Sequence, residues 1–270
     1  MVTRGSVGLR GSKRIASGPN LYNRLPMSLR MALVVVFLGL SLTATAQEVT
    51  VSYAIVPVAG SIAGLGSVVW STDIALHNPM PYDVDVILSL VGAPNDPFFF
   101  TTIRAGDSIS FPDMPRETFG VVGRLCPLRV ETLAATSVTV AAIVHGETLE
   151  GPTEPEVLTV QYDRFRPMIQ TLPALYVGKQ FRTNIGLVNP SDTEATVIVA
   201  LQQVPGRNIG VLSKTLPPQS HVQLPLQTLF PLLTEGENLS LVVEHTNAEA
   251  YVYASVIANA THNARYLGPR

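Results

Sequence analysis

The side chains in this chain that could do chemistry are few and scattered. Asp73, His77, Asp83 and Asp85 fall on the polar side of one alternating segment. Carboxylates with an imidazole suit zinc or calcium, depending on how many oxygens join. No close-spaced ligand motif accompanies them, and the competing reading is a solvated sheet face whose acids discourage edge pairing. Acyl-transfer chemistry would need a nucleophile held beside a histidine base that a third group orients. The histidines are His77, His145, His221, His245 and His262, so a scattered triad stays open. The segment Gly60-Ser61-Ile62-Ala63-Gly64 does not supply it, because its serine is misplaced for a nucleophile elbow and no helix follows. Cys126 is the single cysteine, which excludes an intrachain disulfide. With no histidine base in Arg124-Leu125-Cys126-Pro127, it reads as a small buried hydrophobe rather than a nucleophile.

Two aromatic features remain. Trp70, the single tryptophan, could be a stacking platform for a sugar. It stands in register with Thr72, Ile74 and Leu76, and the periodicity favours a core position. The triplet Phe98-Phe99-Phe100 is more telling. In an extended chain Phe98 and Phe100 leave on one side and Phe99 on the other, so a one-layer core hides only part of it. Local packing under a loop or the second domain is the competing and favoured reading; if part of the triplet stays exposed, Phe98, Phe99 and Phe100 are the candidate interaction surface. No catalytic, cofactor-binding or metal-binding residue is assigned, and no cofactor is expected.

The elements that must position these residues come in two copies. The segment 68–90 returns 111 positions later at 179–201 with 8 of 23 residues identical and no gap, which marks two copies of one folding unit. Segment 102–114 matches 215–227 at an offset of 113, which places two extra residues in the second copy between about 202 and 214. At the same offset Val138, Val140 and Ala142 align with Tyr251, Tyr253 and Ser255, whereas Cys126, at offset 111, falls on Glu237. Within each copy apolar residues alternate with polar ones on both sides of an Asn-Pro turn. Asn can bond its own backbone there and Pro sets the turn dihedral. Period two across a broken turn specifies two antiparallel strands with one buried face. About seven short strands per copy, separated by Pro- and Gly-rich turns, predict an all-β chain of two tandem antiparallel β-sandwiches. Gly151-Pro152-Thr153-Glu154-Pro155-Glu156 reads as the linker, giving domains at 47–154 and 155–270.

Residues 1–46 carry the address. Six basic and no acidic residues precede the apolar run Met31 to Leu42 and the small-residue exit Ala44-Thr45-Ala46. That order is a secretory signal peptide with a mature start at Gln47, and translation from Met27 would give a more ordinary basic prefix. The apolar run is shorter than the roughly 20 residues a membrane helix needs, so no stable anchor is expected after cleavage. Without the prefix 12 basic residues face 20 acidic ones, a net charge of −8. An acidic chain without a basic stripe has no electrostatic footprint for nucleic acid or anionic lipid.

Several stretches carry a resemblance: YAIVPVAG, WSTDIALHNP, IRAGDSISFPD, Phe119-Gly120, FRTNIGLVNP, LPPQSHVQL and AYVYASVIANAT. Together they resemble the tandem Ig-like β-sandwich repeats of proteins secreted by acidobacteria and related environmental bacteria, where such units stand alone or are appended to secreted enzymes. The resemblance covers nearly all of residues 50–268. It implies an Ig-like extracellular module with no catalytic residues to carry over. The expectation is a secreted, periplasmic or cell-surface protein that is not an enzyme and has a structural, adhesive or interaction role toward an unknown protein or polysaccharide. The alternatives are a carbohydrate- or ligand-binding accessory module and a hydrolase with a cryptic site.

Overall fold

The computed structural model describes residues 52–132, 138–158, 160, 162, 168–203, 206–247 and 249–269, so the signal peptide expected at 1–46 and the Met27 start lie outside the described residues. Within them the chain is all-β and antiparallel. The first half contains β1 (Ser52–Ala63), β2 (Val69–His77), β3 (Val84–Leu90), β4 (Phe98–Ile103), β5 (Ser108–Phe111), β6 (Arg124–Thr132), β7 (Thr139–Thr148), β8 (Gly151–Pro152) and β9 (Glu156–Val157). The second contains β10 (Ile169–Val177), β11 (Phe181–Asn189), β12 (Ala195–Gln203), β13 (Arg207–Leu216), β14 (Ser220–Pro225), β15 (Gly236–His245), β16 (Tyr251–Ala258) and β17 (Ala264–Leu267). One-turn helices α1 (Met114–Glu117) and α2 (Leu226–Leu229) follow β5 and β14.

The two halves repeat the same pairing. Strand order β4-β3-β6-β1 in the first corresponds to β13-β12-β15-β10 in the second, and β5-β2-β7-β9 to β14-β11-β16-β17. In the first half β1 runs on past its partner β6, and Ile62 and Ala63 pair with β2, joining both layers into one continuous sheet. The opening strand bulges next to a proline in each copy, between Val56 and Ala59 and between Leu172 and Leu175. An extra residue there leaves the proline without a ladder hydrogen bond to donate.

The alternation read from the sequence is the burial that is found. Val84, Val86, Leu88 and Leu90 are buried on β3, as are Ala195, Val197, Val199 and Leu201 on β12. Each row meets the opposite layer of its own half: β12 and β15 contribute Val199 and Leu241 to a core that also takes Ile185 and Leu187 from β11.

The Asn-Pro turns do more than turn. Asn78 is fully buried, and its Nδ2 donates to the carbonyls of Tyr82 (2.8 Å), Ile103 (2.9 Å) and Arg104 (3.1 Å), while Oδ1 accepts from Met80 N (2.9 Å). Asn189 repeats the arrangement with Thr193 (2.8 Å), Leu216 (3.2 Å), Pro217 (2.9 Å) and Ser191 N (3.3 Å). One side chain thus satisfies backbone groups of two separate turns, which a buried core requires of every carbonyl it covers. The two extra residues of the second copy lie in the longer β12–β13 hairpin, which bulges between Leu201 and Gln202.

Two registers differ from the sequence alignment, and so does the expected linker. Thr72, Ile74 and Leu76 face Val144, Ala142 and Val140, while their counterparts Thr183, Ile185 and Leu187 face Val256, Ala254 and Val252. The offset on this strand is therefore 112, and Val140 corresponds to Val252 rather than Tyr253. A slip of one residue exchanges the two faces of a strand. Cys126 pairs with Ala59 as Leu239 pairs with Leu175, so its counterpart is the core residue Leu239, not Glu237. The segment expected as a linker instead adds β8 and β9 to the edge of β7. Leu158 and Val160 pack on the first core, and the Tyr162 hydroxyl bonds Val140, so the first half runs past residue 154.

Candidate functional site

The phenylalanine triplet lies on β4, the edge strand of its sheet. Phe98 is 39% and Phe100 52% exposed, on the outward side. Phe99 does not share that face. It turns inward, packs on the core and meets Phe111 edge-on at 5.6 Å, because successive side chains leave a strand on opposite sides.

The acid and histidine groups of the first hairpin do not converge. His145 Nε2 lies 2.8 Å from Asp73 Oδ2, and Asp73 Oδ1 accepts from Asp113 N at 2.8 Å. His77 Nδ1 meets Ser108 Oγ at 3.0 Å; Asp83 accepts from Ala105 N at 3.0 Å, and Asp85 from Thr102 Oγ1 at 2.7 Å. Each group is engaged by a different neighbouring strand or turn. Among the described residues no three metal-ligating side chains come together.

The remaining histidines sit in packing contacts. His245 is buried, with Nε2 2.7 Å from Gln170 Nε2 and Nδ1 2.7 Å from the Asn247 carbonyl. Gln170 has an amide N–H to give, so the ring accepts at Nε2 and donates from Nδ1. His262 lies against Gly66 of the other half, where an added Cβ would stand 2.5 Å from the ring. His221 Nδ1 donates to the Leu125 carbonyl at 3.2 Å, a bond from the second half to the first. Its Nε2 lies 2.9 Å from the Tyr253 hydroxyl, which is 2.7 Å from Gln223 Oε1, so two acceptors compete for one hydroxyl proton. Burial drives the His221 pKa down to about 4 and that of Tyr253 well above its usual value. Cys126 is buried, and burial raises its thiol pKa, which keeps it in the unreactive form.

His221 belongs to an extensive contact between the halves, all of whose described residues fall in one compact unit. Val188, Tyr251, Tyr253 and Tyr266 of the second half are buried with the first half's core. The Tyr253 ring lies over Gly186, where a Cβ would stand 2.0 Å from ring carbons, and it stacks near His221 (5.9 Å) and Tyr266 (5.4 Å). Arg129 donates to the Pro190 carbonyl and, at 3.1 Å, to Gln219 Oε1. Glu156 Oε1 accepts from Tyr266 N at 2.7 Å.

Between the Tyr253 rung and the contact of His262 with Gly66 the halves stand apart, and an open-mouthed, mainly apolar cavity of about 490 Å³ separates them. Its floor is the outer face of β11 and β16, from Asn184 and Ser255 to Arg182 and Ile257. Its roof is the end of β1 with Trp70, Val144 and Leu158. Trp70 is therefore half-buried on a cavity wall rather than inside a core, and Gly64 makes room for it: a Cβ there would stand 2.4 Å from Nε1. The volume lies within the range of small-molecule pockets.

No protein-family model matches the chain, and no curated protein matches it. Partial likenesses among solved structures include a Thermotoga maritima protein, 1070, at 13% identity and a TM-score of 0.33 over 37% of this chain and 90% of that one. A putative β-galactosidase from Bacteroides fragilis gives 10% identity and 0.16 over 75% of this chain, and a β-glucuronidase 2 from Bacteroides uniformis 9% and 0.15 over the same share. The chain spans 32% and 25% of those two enzymes. None is close enough to assign a fold or an activity. Among the described residues no helix is long and apolar enough to cross a membrane.

Sequence reasoning missed the cavity and the covered face of β16. One signal was available: apart from Ser255, Tyr251 to Ile257 is apolar on both sides of the strand, as expected of a strand buried on both faces.

Proposed function

We propose that the chain is an exported, non-enzymatic protein of two Ig-like β-sandwiches whose role is structural or adhesive, exerted through association of chains at the edge strand β4. The observation that carries this reading is that β4 combines an open sheet edge with Phe98 and Phe100 exposed and no charged residue in the strand. The equivalent edge β13 carries Arg207 and Lys214, the kind of charge that blunts an edge. An edge that carries no charge and pairs with no further strand among the described residues is a template for strand addition. Two copies meeting β4 to β4, antiparallel about Phe100, oppose Phe98 to Thr102 and bring Asp96 of one chain to Arg104 of the other. Such a contact is self-complementary and closes as a two-fold dimer. The non-enzymatic reading draws support from the separate local partners of the histidines. The alternative of a ligand-binding module is favoured by one observation, the cavity beside Trp70.

Sedimentation velocity over a concentration series tests the association. The wild-type chain dimerises, Phe100→Lys does not, and Asp96→Arg weakens the dimer while Asp96→Arg with Arg104→Asp restores it. A wild-type chain that stays monomeric at every concentration refutes the reading.

A further inference from the structure

We infer that the cavity between the two halves binds an amphipathic organic anion, a carboxylate carried on an apolar chain or ring. This inference is independent of association at β4.

The void has a structural cause. The halves dock tightly where the Tyr253 ring fills the space above Gly186. Along β16 the next outward residue is Ser255, paired with Asn184, and opposite them β1 presents Gly60, Ala63 and Gly64. Short side chains on both sides cannot close the gap. Its walls are mainly apolar carbon, supplied by Ile62, Trp70, Val144, Leu158 and Ile257. An apolar space open to solvent favours an apolar guest, since filling it removes hydrocarbon from water on both partners.

The guest's charge follows from Arg182, at the end of the floor away from Tyr253. Its Nη1 donates to Asn259 Oδ1 at 3.0 Å, and no carboxylate lies within ion-pair distance of it among the described residues. Burial lowers its pKa, so the protein leaves a partly desolvated guanidinium without an anion. Asn259 is itself held by the carbonyls of Gly178 (3.1 Å) and Lys179 (3.0 Å), which fixes the guanidinium rather than neutralising it. A planar guanidinium recognises a carboxylate through paired N–H donors. Glu156, the acid that also lines the cavity, accepts from the backbone N–H of Tyr266 and lies beyond ion-pair distance of Arg182, so it keeps its charge and the guest's carboxylate must sit at the Arg182 end. The guest thus lies with its apolar body against Trp70 and Ile257 and its carboxylate on Arg182.

Trp70 is the single tryptophan, so fluorescence excited at the red edge of indole absorption, where the eight tyrosines do not absorb, reports this cavity alone. Decanoate, decanol and decyltrimethylammonium present the same tail with an anionic, a neutral and a cationic head. Titrating each into the intact protein below its micelle concentration gives a saturable change in Trp70 emission with decanoate, and calorimetry gives one site per chain. Decanol binds about tenfold more weakly and the cation more weakly still, the difference expected for one charge-assisted contact. Arg182→Gln removes the preference for decanoate and leaves decanol binding unchanged, which also shows that the variant is folded. Ser255→Phe fills the floor and abolishes binding of all three. Equal affinity for the three heads, or a preference that survives Arg182→Gln, overturns the anion assignment. An unchanged Trp70 emission with every ligand, or several sites per chain that persist in Ser255→Phe, overturns the site.

Discussion

The outer face of the β5-β2-β7-β9 layer and the outer face of its counterpart β14-β11-β16-β17 share strand order and opposite roles. In the first half this face meets solvent and carries Asp73, Ala75, His77, Ala141 and His145, half-buried or exposed. In the second it is covered by the first half, and the columns of Ala75 and His77 hold Gly186 and Val188, with Tyr251 and Tyr253 beside them. The two faces differ by larger side chains on one strand, Tyr251 and Tyr253 against Thr139 and Ala141, and by a smaller one on its neighbour, Gly186 against Ala75. The two copies share the apolar positions that each core needs and differ at the outward positions, where one copy meets solvent and the other meets its partner half.

Separating the halves is the largest test of that comparison. A chain of residues 47–162 retains a cooperative melt with β-type circular dichroism. A chain of residues 163–270 exposes Val188, Tyr251 and Tyr253 to water and aggregates or melts without cooperativity. If both fragments melt cooperatively and remain monomeric, the covered face is dispensable and the two faces are less different than their residues imply. Next in size is a small apolar enlargement on the same column of each copy, one carbon in the second and two in the first. Gly186→Ala puts a carbon where the Tyr253 ring lies, and that ring is held by its neighbours His221 and Tyr266, so the cost is about 3 kcal/mol. Ala75→Val on the exposed face changes stability by less than about 0.5 kcal/mol. Urea unfolding of the two variants measures the contrast directly.

Acid sharpens the comparison further. His221 has a folded pKa of about 4 against an unfolded value of about 6.5, so at pH 7 it is neutral in both states. As pH falls below about 6.5 the unfolded chain takes up the proton first, and stability declines until about pH 4, by about 3 kcal/mol at most. Its counterpart in the first half is Ser108, which does not titrate. His221→Asn therefore removes the slope between pH 6.5 and 4 when unfolding is followed across that window, and a slope unchanged in the variant assigns it to other groups. The smallest effect concerns β4. Phe99→Ala loses part of a core contact and costs about 2 kcal/mol, whereas Phe100→Ser, on the outward side, costs less than about 0.5 kcal/mol. Similar melting shifts for the two would mean that the outward side of β4 is not a free surface.

What could be read from the residues alone was local. Alternation in 84–90 and 195–201 specified strands with one buried face, and the paired Asn-Pro positions marked the turns, because strand periodicity and turn dihedrals are properties of short stretches. The divided character of Phe98-Phe99-Phe100 was legible for the same reason, although which side faced inward was not. Tertiary structure decided the rest. The strand Tyr251–Ala258 is apolar on both faces, so two registers fit its pattern equally well, and only the hydrogen-bonded pairing with β11 chose between them. Asn189 and Asn78 each reach a turn more than twenty residues away, a contact that no local pattern encodes. The cavity is a difference between two surfaces, Ser255 and Asn184 on one and Gly60 to Gly64 on the other, set far apart in the chain. Each is unremarked alone, and a void exists only where packing brings two short-side-chain surfaces face to face and a larger residue nearby, Tyr253, holds them apart.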